Sequence, residues 1–216
     1  MFKGMIFDMD GVIVDSHPSH LRAWKRLFAC LGKPLSDSGF EYILDGHTRE
    51  EILRHYLGDM SAERLEEYGN RKDKLFREEA AGLLPVPGVL AFLDSIEQAG
   101  IRKAVATSAK RQRADFILGH FGISRRFETI VAADDVAEGK SSSRAFLLAG
   151  ERLSLSPREL LVAEDAVSGV KAAKAASMRC LGVSLNGHRR QLLGAGADKV
   201  VSDFCSVSVP ELSSLF

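Results

Sequence analysis

Asp8 and Asp10 stand at the end of the apolar run Lys3–Met9, just before Gly11. Asp and Gly favour strand-ending turns. Asp8, however, interrupts the run itself, where an uncompensated carboxylate is costly. Two carboxylates so close repel unless a cation or a shared proton compensates. A second acidic pair, Glu164-Asp165, closes another apolar run, Leu160–Glu164. The two pairs together offer hard oxygen donors, and Mg²⁺ takes one or two carboxylates plus water and phosphate oxygens. Asp165 also suits the N-cap of a helix beginning at Val167. Thr107-Ser108 ends a third run, ahead of a helix starting near Lys110. A hydroxyl and backbone N–H groups at a helix start suit a phosphate, although Ser and Thr are also common caps. Lys140 follows Gly139 at the entry to a further helix. An Asp pair, a Thr/Ser, a Lys and an acidic pair, in that order, form the candidate site.

Short apolar runs must position these residues. Lys3–Met9, Lys103–Thr107, Leu160–Glu164 and Arg179–Val183 read as buried strands, with Thr129–Ala132 and Lys199–Val201 as weaker ones. Helical patterns lie between them at Val89–Ala99, Arg111–Phe121, Arg144–Leu153 and Val167–Ala176. This alternation predicts an α/β fold, a doubly wound parallel sheet with helices on both faces. Ligands in such sheets gather outside the carboxyl ends of the strands, where every candidate falls. Residues 16–84 break the rhythm. His20–Leu31, Arg49–Tyr56 and Ala62–Ala81 read as helices with no convincing strand between them, and Leu84-Pro85-Val86-Pro87-Gly88 closes the stretch. The expected organisation is a core of residues 1–15 and 85–216 with an all-helical insert at 16–84.

Composition narrows the function. The chain has 216 residues, 45% of them hydrophobic, with 29 basic and 29 acidic side chains and no net charge. A chain this long buries roughly 70% of its unfolded surface. The absent basic excess argues against nucleic acid and acidic lipid as partners. No run approaches the ~20 apolar residues of a membrane span, and the apolar N-terminal segment, interrupted by Asp8 and Asp10 and followed by no small-residue cleavage site, does not read as a signal peptide. The cytoplasm is the expected location and a monomer the expected state. Cys30, Cys180 and Cys205 are odd in number and widely spaced. They read as buried small hydrophobes in a reducing compartment rather than a disulfide or zinc set. No GxxxxGK[ST], GxGxxG or GxSxG motif is present, which argues against P-loop, dinucleotide and serine-hydrolase chemistry.

Asp8-Met9-Asp10-Gly11-Val12, Thr107, Lys140 and Glu164-Asp165 resemble, as a set, the four motifs of the haloacid dehalogenase-like superfamily. The helical insert resembles the cap of its β-phosphoglucomutase-like branch. The resemblance spans essentially the whole chain and implies a Rossmann-like core. It implies Asp8 as nucleophile, forming an aspartyl-phosphate, and Asp10 as general acid and then base. Mg²⁺ would be held by Asp8, the Asp10 backbone carbonyl, Asp165 and Glu164, the last either directly or through water. Thr107 and the Ser108 backbone would bind the transferring group, and Lys140 would neutralise it. In the insert, His20, Trp24, Gly46, Arg49 and Lys72 resemble substrate-binding positions. Arg49 would grip a distal phosphate, Lys72 would contact the sugar and His20 would orient Asp10. Two departures stand out. Ser141-Ser142-Ser143-Arg144 replaces the usual Pro-rich run after Lys140. Ala109 replaces a serine of the mutase pattern in the Ser108-Ala109-Lys110 phosphate loop, and Lys110-Arg111 is the basic pair available to substitute for it. The expected activity is a Mg²⁺-dependent phosphatase for a small phosphorylated metabolite, chiefly a sugar phosphate. A phosphomutase is the alternative, and a non-catalytic module of the same fold the remote one.

Overall fold

The chain's apolar runs set its strands, and a computed structural model describes residues 2–35, 41–44, 47–79, 82–136, 143–185 and 187–216. In chain order the strands are β1 (Gly4–Phe7), β2 (Val14–Asp15), β3 (Leu84–Pro85), β4 (Arg102–Ala106), β5 (Thr129–Val131), β6 (Leu160–Glu164), β7 (Arg179–Val183) and β8 (Lys199–Val201). Strands β2 and β3 pair as a separate two-stranded ribbon. Each has only two residues, too few for a side-chain pattern to register in sequence. The chain divides into two compact units, Met1–Asp15 with Pro85–Phe216, and Ser16–Leu84.

The second unit is built from α-helices, with Leu84 of β3 at its end. It comprises α1 (His17–Cys30), α2 (Glu41–Leu44), α3 (Arg49–Leu57) and α4 (Ala62–Glu78). Trp24, Leu27, Phe28, Ile43, Ile52, Leu53 and Leu65 form its core. Local chemistry fixes where two of these helices begin. Thr48 and Glu51 make a reciprocal capping box at α3, and the Ser61 side chain accepts from the Arg64 amide at α4; each such cap is worth about 1 kcal/mol. The single turn α2 is too short for a periodic signal.

In the first unit six strands form one sheet in the order β5-β4-β1-β6-β7-β8, with every neighbouring pair parallel. The connecting helices are α5 (Val89–Gln98), α6 (Arg111–His120), α7 (Ser143–Arg152), α8 (Val167–Ala175), α9 (Arg189–Gly194) and α10 (Val209–Ser213). The chain steps outward from β1 to β4 and β5, crosses back to β6, and steps outward again to β8. The order therefore reverses between β1 and β6, the crevice at which doubly wound sheets bind ligands. Burial on both faces explains the near-continuous apolar strands. Ile6, Ala104, Ala106, Leu160 and Val162 pack with Phe146, Ala149, Leu153, Val170 and Ala173 of α7, its trailing turn and α8 on one face. On the other, Phe7 meets Phe92, Phe127 and Phe204 at ring-centroid distances of 6.5, 6.0 and 6.3 Å. Phe92 is fully enclosed there and stacks on Phe204 at 5.1 Å. Phe92→Ala is expected to cost about 3–5 kcal/mol in urea unfolding. A loss below about 1 kcal/mol would show that this face is not a close-packed core.

Two sequence expectations are corrected here. Cys180 is buried, but Cys30 and Cys205 are exposed, because Cys30 is the last residue of α1 and Cys205 lies in a surface turn between β8 and α10. The helix expected over Ala62–Ala81 ends at Glu78. No helix among the described residues is long and apolar enough to cross a membrane.

Candidate active site

Asp8, Thr107 and Glu164-Asp165 stand at the carboxyl ends of β1, β4 and β6, three adjacent strands held in register by Phe7 opposite Val105 and Ala163. Strand β1 closes at Phe7, one residue before the carboxylate that interrupts the apolar run. The Asp8 amide still donates to the Ala163 carbonyl at 2.9 Å, so the ladder anchors its backbone while the side chain is released from the sheet. Beyond Asp10 the chain turns through Gly11 at φ +73°, a left-handed conformation that glycine adopts without Cβ strain. The Gly11 amide donates to the Val14 carbonyl at 2.8 Å. This closes the turn directly after Asp10.

One carboxylate oxygen from each of Asp8, Glu164 and Asp165 lies within 4.8 Å of the others. Burial and mutual repulsion raise the proton affinity of two of them, Asp8 and Glu164. Asp8, half-buried, is pushed well above the usual carboxylate range, first by desolvation and then by the charges of Glu164, Asp165 and Asp10. Glu164 is buried and is also pushed well up, by burial and then by Asp165. Its Oε1 accepts from the amides of Asp165 and Ala166 at 3.1 and 2.9 Å. These bonds aim the carboxylate and partly offset its burial. The set suits a hard divalent cation, since the donors are all oxygen and a positive charge removes the repulsion.

The turn into α8 differs from the sequence expectation. Its N-cap is Ala166, with no side-chain cap bond, so Asp165 does not cap the helix; Glu164 instead takes the amides at the turn. Gly169, in the first turn of α8, makes room for that carboxylate. A Cβ there would fall 2.6 Å from Glu164 Cγ and closer still to the carboxylate itself.

On the neighbouring strand, Thr107 is buried, and its Oγ1 accepts from the Ala109 amide at 3.1 Å. That leaves the hydroxyl proton to donate elsewhere. Ala109 uses its amide on Thr107 and its carbonyl on the Ala133 amide, so its backbone is spent within the loop rather than offered to a ligand. Ser108 is exposed and Lys110 half-buried. Arg111 donates to the Ile130 carbonyl at 2.7 Å and pairs with Asp135. It is thus tied to the fold. Lys140 and Gly46 lie outside the described residues.

Sequence reading missed Arg113, whose Nη2 donates to Asp10 Oδ2 at 2.7 Å. A separation of 103 residues leaves no local signal for that pair. Gly169 was legible only as part of Asp165-Ala-Val-Ser-Gly-Val.

Within the helical unit, Lys72 is buried, and its Nζ lies 2.9 Å from His20 Nδ1. An ammonium can only donate, so this tautomer places the imidazole proton on Nε2. The ammonium also sits 5.3 and 5.2 Å from the ring centroids of Trp24 and Phe76, within cation–π range. Trp24 is enclosed in the core of this unit and stacks on Phe28, so it packs rather than meets a ligand. Arg49 is also differently engaged from the expected phosphate grip. Its guanidinium donates to Glu50, Glu66 and Asp73 at 2.9, 2.9 and 2.8 Å and to Asn70 at 3.3 Å. One cation faces three carboxylates.

Known proteins share this architecture. The phosphorylated carbohydrates phosphatase of Thermotoga maritima is 35% identical over 208 residues, covering 92% of this chain and 94% of that protein. Validoxylamine A 7'-phosphate phosphatase of Streptomyces hygroscopicus subsp. limoneus is 30% identical over 225 residues, covering 98% and 99%. The crystal structure of β-phosphoglucomutase from Clostridium difficile matches with a TM-score of 0.87 at 25% identity, covering 100% of this chain and 97% of that one. Residues 2–177 match the family model of the haloacid dehalogenase-like hydrolases. The chain therefore belongs to that family, as an enzyme of phosphoryl transfer.

Proposed function

We propose that this protein is a Mg²⁺-dependent phosphatase that removes the phosphoryl group from a small phosphorylated metabolite, a sugar phosphate, through an aspartyl-phosphate on Asp8. The observation that carries the reading is the meeting of the Asp8, Glu164 and Asp165 carboxylates within 4.8 Å, beside Asp10 and Thr107, at the reversal point of the sheet. Asp8, the Asp10 carbonyl, Glu164 and Asp165 would hold Mg²⁺. Bound there, it supplies positive charge against an incoming phosphate dianion. The Asp8 carboxylate attacks phosphorus in line as the bond to the leaving oxygen breaks. Asp10 gives that oxygen its proton, a contribution of about 10²–10⁴-fold. Asp10 then takes a proton from the water that attacks phosphorus and releases Asp8. The Thr107 hydroxyl donates to a phosphoryl oxygen throughout, and Lys140 adds charge neutralisation. Such transfer depends on positioning and electrostatics more than on covalent chemistry.

Two observations favour hydrolysis over a mutase reaction. A mutase must also hold a second phosphate, yet Arg49 is committed to three carboxylates and Arg111 to Asp135. The relatives named above as phosphatases are named for phosphorylated carbohydrates and for validoxylamine A 7'-phosphate, which supports a small phosphorylated metabolite as substrate.

Phosphorus NMR with Mg²⁺, β-glucose 1-phosphate and a trace of glucose 1,6-bisphosphate tests the reading, alongside a panel of sugar and polyol phosphates. Inorganic phosphate that appears with Mg²⁺ and stops with EDTA is the expected result. Glucose 6-phosphate without inorganic phosphate would replace the phosphatase with a mutase. No turnover on any ester with several divalent ions would leave a binding module.

A further inference from the structure

We propose that Arg113 is a positioning residue for Asp10, fixing the orientation in which that carboxylate serves first the leaving oxygen and then the attacking water. The inference rests on the reading of Asp10 as the acid and base. Arg113 Nη2 donates to Asp10 Oδ2 at 2.7 Å, and the two side chains are only 13% and 18% exposed. Exposed ion pairs contribute little, but a pair this enclosed loses much when one member is removed, because the other charge is stranded.

The place of Arg113 in its helix points the same way. Arg113 lies in the first turn of α6, which has no acidic residue in that turn and no side-chain cap. A cation there opposes the helix dipole, so helix formation does not account for it. The neighbouring cation is compensated locally. Arg111 pairs with Asp135, and its amide donates to Asp134. Arg113 is instead compensated by a residue from the loop after β1, and a guanidinium suits this task because its planar, rigid fork fixes direction as well as distance. Met9, between the two aspartates, is fully buried and pins the backbone. The remaining freedom of Asp10 is the rotation of its side chain, which Arg113 restrains.

The experiment compares kcat/KM for phenyl phosphate and 4-nitrophenyl phosphate in R113M, R113K and D10N. Phenolate departs poorly without a proton, whereas 4-nitrophenolate departs readily without one. A group that acts through the proton donor must therefore matter more for the first ester. R113M is expected to lose about tenfold or more on phenyl phosphate and under about threefold on 4-nitrophenyl phosphate. R113K should recover part of the difference, and D10N should show the same bias more strongly. Equal losses on both esters, or no loss, while D10N keeps its bias would reduce Arg113 to a structural ion pair and overturn the proposal. D10N without bias would remove the Asp10 assignment and the proposal with it. Should R113M fail to fold, R113K alone decides, since a lysine retains the charge without the fork. A several-fold larger loss on phenyl phosphate in that variant supports positioning, and equal losses on both esters overturn it.

Discussion

Asp8→Asn is expected to abolish phosphate release, by roughly 10⁴-fold or more, while making the metal-free protein more stable. The loss follows from the chemistry. The amide is nearly isosteric with the carboxylate but cannot attack phosphorus, and the neighbouring carboxylate, Asp10, is engaged by Arg113. The gain follows from electrostatics. Burial and the charges of Glu164, Asp165 and Asp10 push the Asp8 carboxyl well up in the folded protein. A carboxyl whose pKa is raised on folding costs nothing below its unfolded value, about 3.9. Its cost grows as pH rises above that value and is complete above the folded pKa. The melting temperature of metal-free Asp8→Asn should therefore exceed that of the native chain at pH 8, and the difference should vanish near pH 4. Saturating Mg²⁺ should reverse the order, because it binds the native cluster more tightly and stabilises the state it binds. Retained turnover would remove Asp8 as nucleophile. A lower metal-free melting temperature at pH 8 would mean that the cluster is not repulsive as folded.

Gly169→Ala carries the second large effect and separates the site from the scaffold. In a helix alanine is favoured over glycine by about 1 kcal/mol, so the substitution should not weaken α8 through its backbone. The added methyl instead meets Glu164, 2.6 Å from its Cγ. Glu164 is held from the other side by the amides of Asp165 and Ala166 and can yield only by breaking them. Mg²⁺ affinity should fall about 10–100-fold, the range seen when a ligand's supporting contacts are removed, with kcat/KM following at limiting Mg²⁺. Calorimetric titration with Mg²⁺ reads this directly. An unchanged affinity would take Glu164 out of the metal set, and a collapse of the fold would show that the helix itself cannot accept the methyl.

The fold was legible because its signals are local and repeated. Each core strand is buried on both faces, so it reads as an unbroken apolar run, and the weaker runs at Thr129 and Lys199 also fold as strands. Asp8, Thr107 and Glu164-Asp165 were legible because each sits where such a run stops, and strand ends are visible in a sequence. The short pieces β2, β3 and α2 were not, since two to four residues carry no period. The chain's order of residues thus determined the parallel sheet and the approximate positions of its chemical groups along each strand. Only the tertiary structure decided which charges face one another. It paired Arg113 with Asp10 across 103 residues and surrounded Arg49 with three carboxylates. It also set Glu164 against the bare backbone of Gly169. Charge pairing depends on distances of a few ångströms, and residues remote in the chain acquire those distances only when the sheet and its helices have packed.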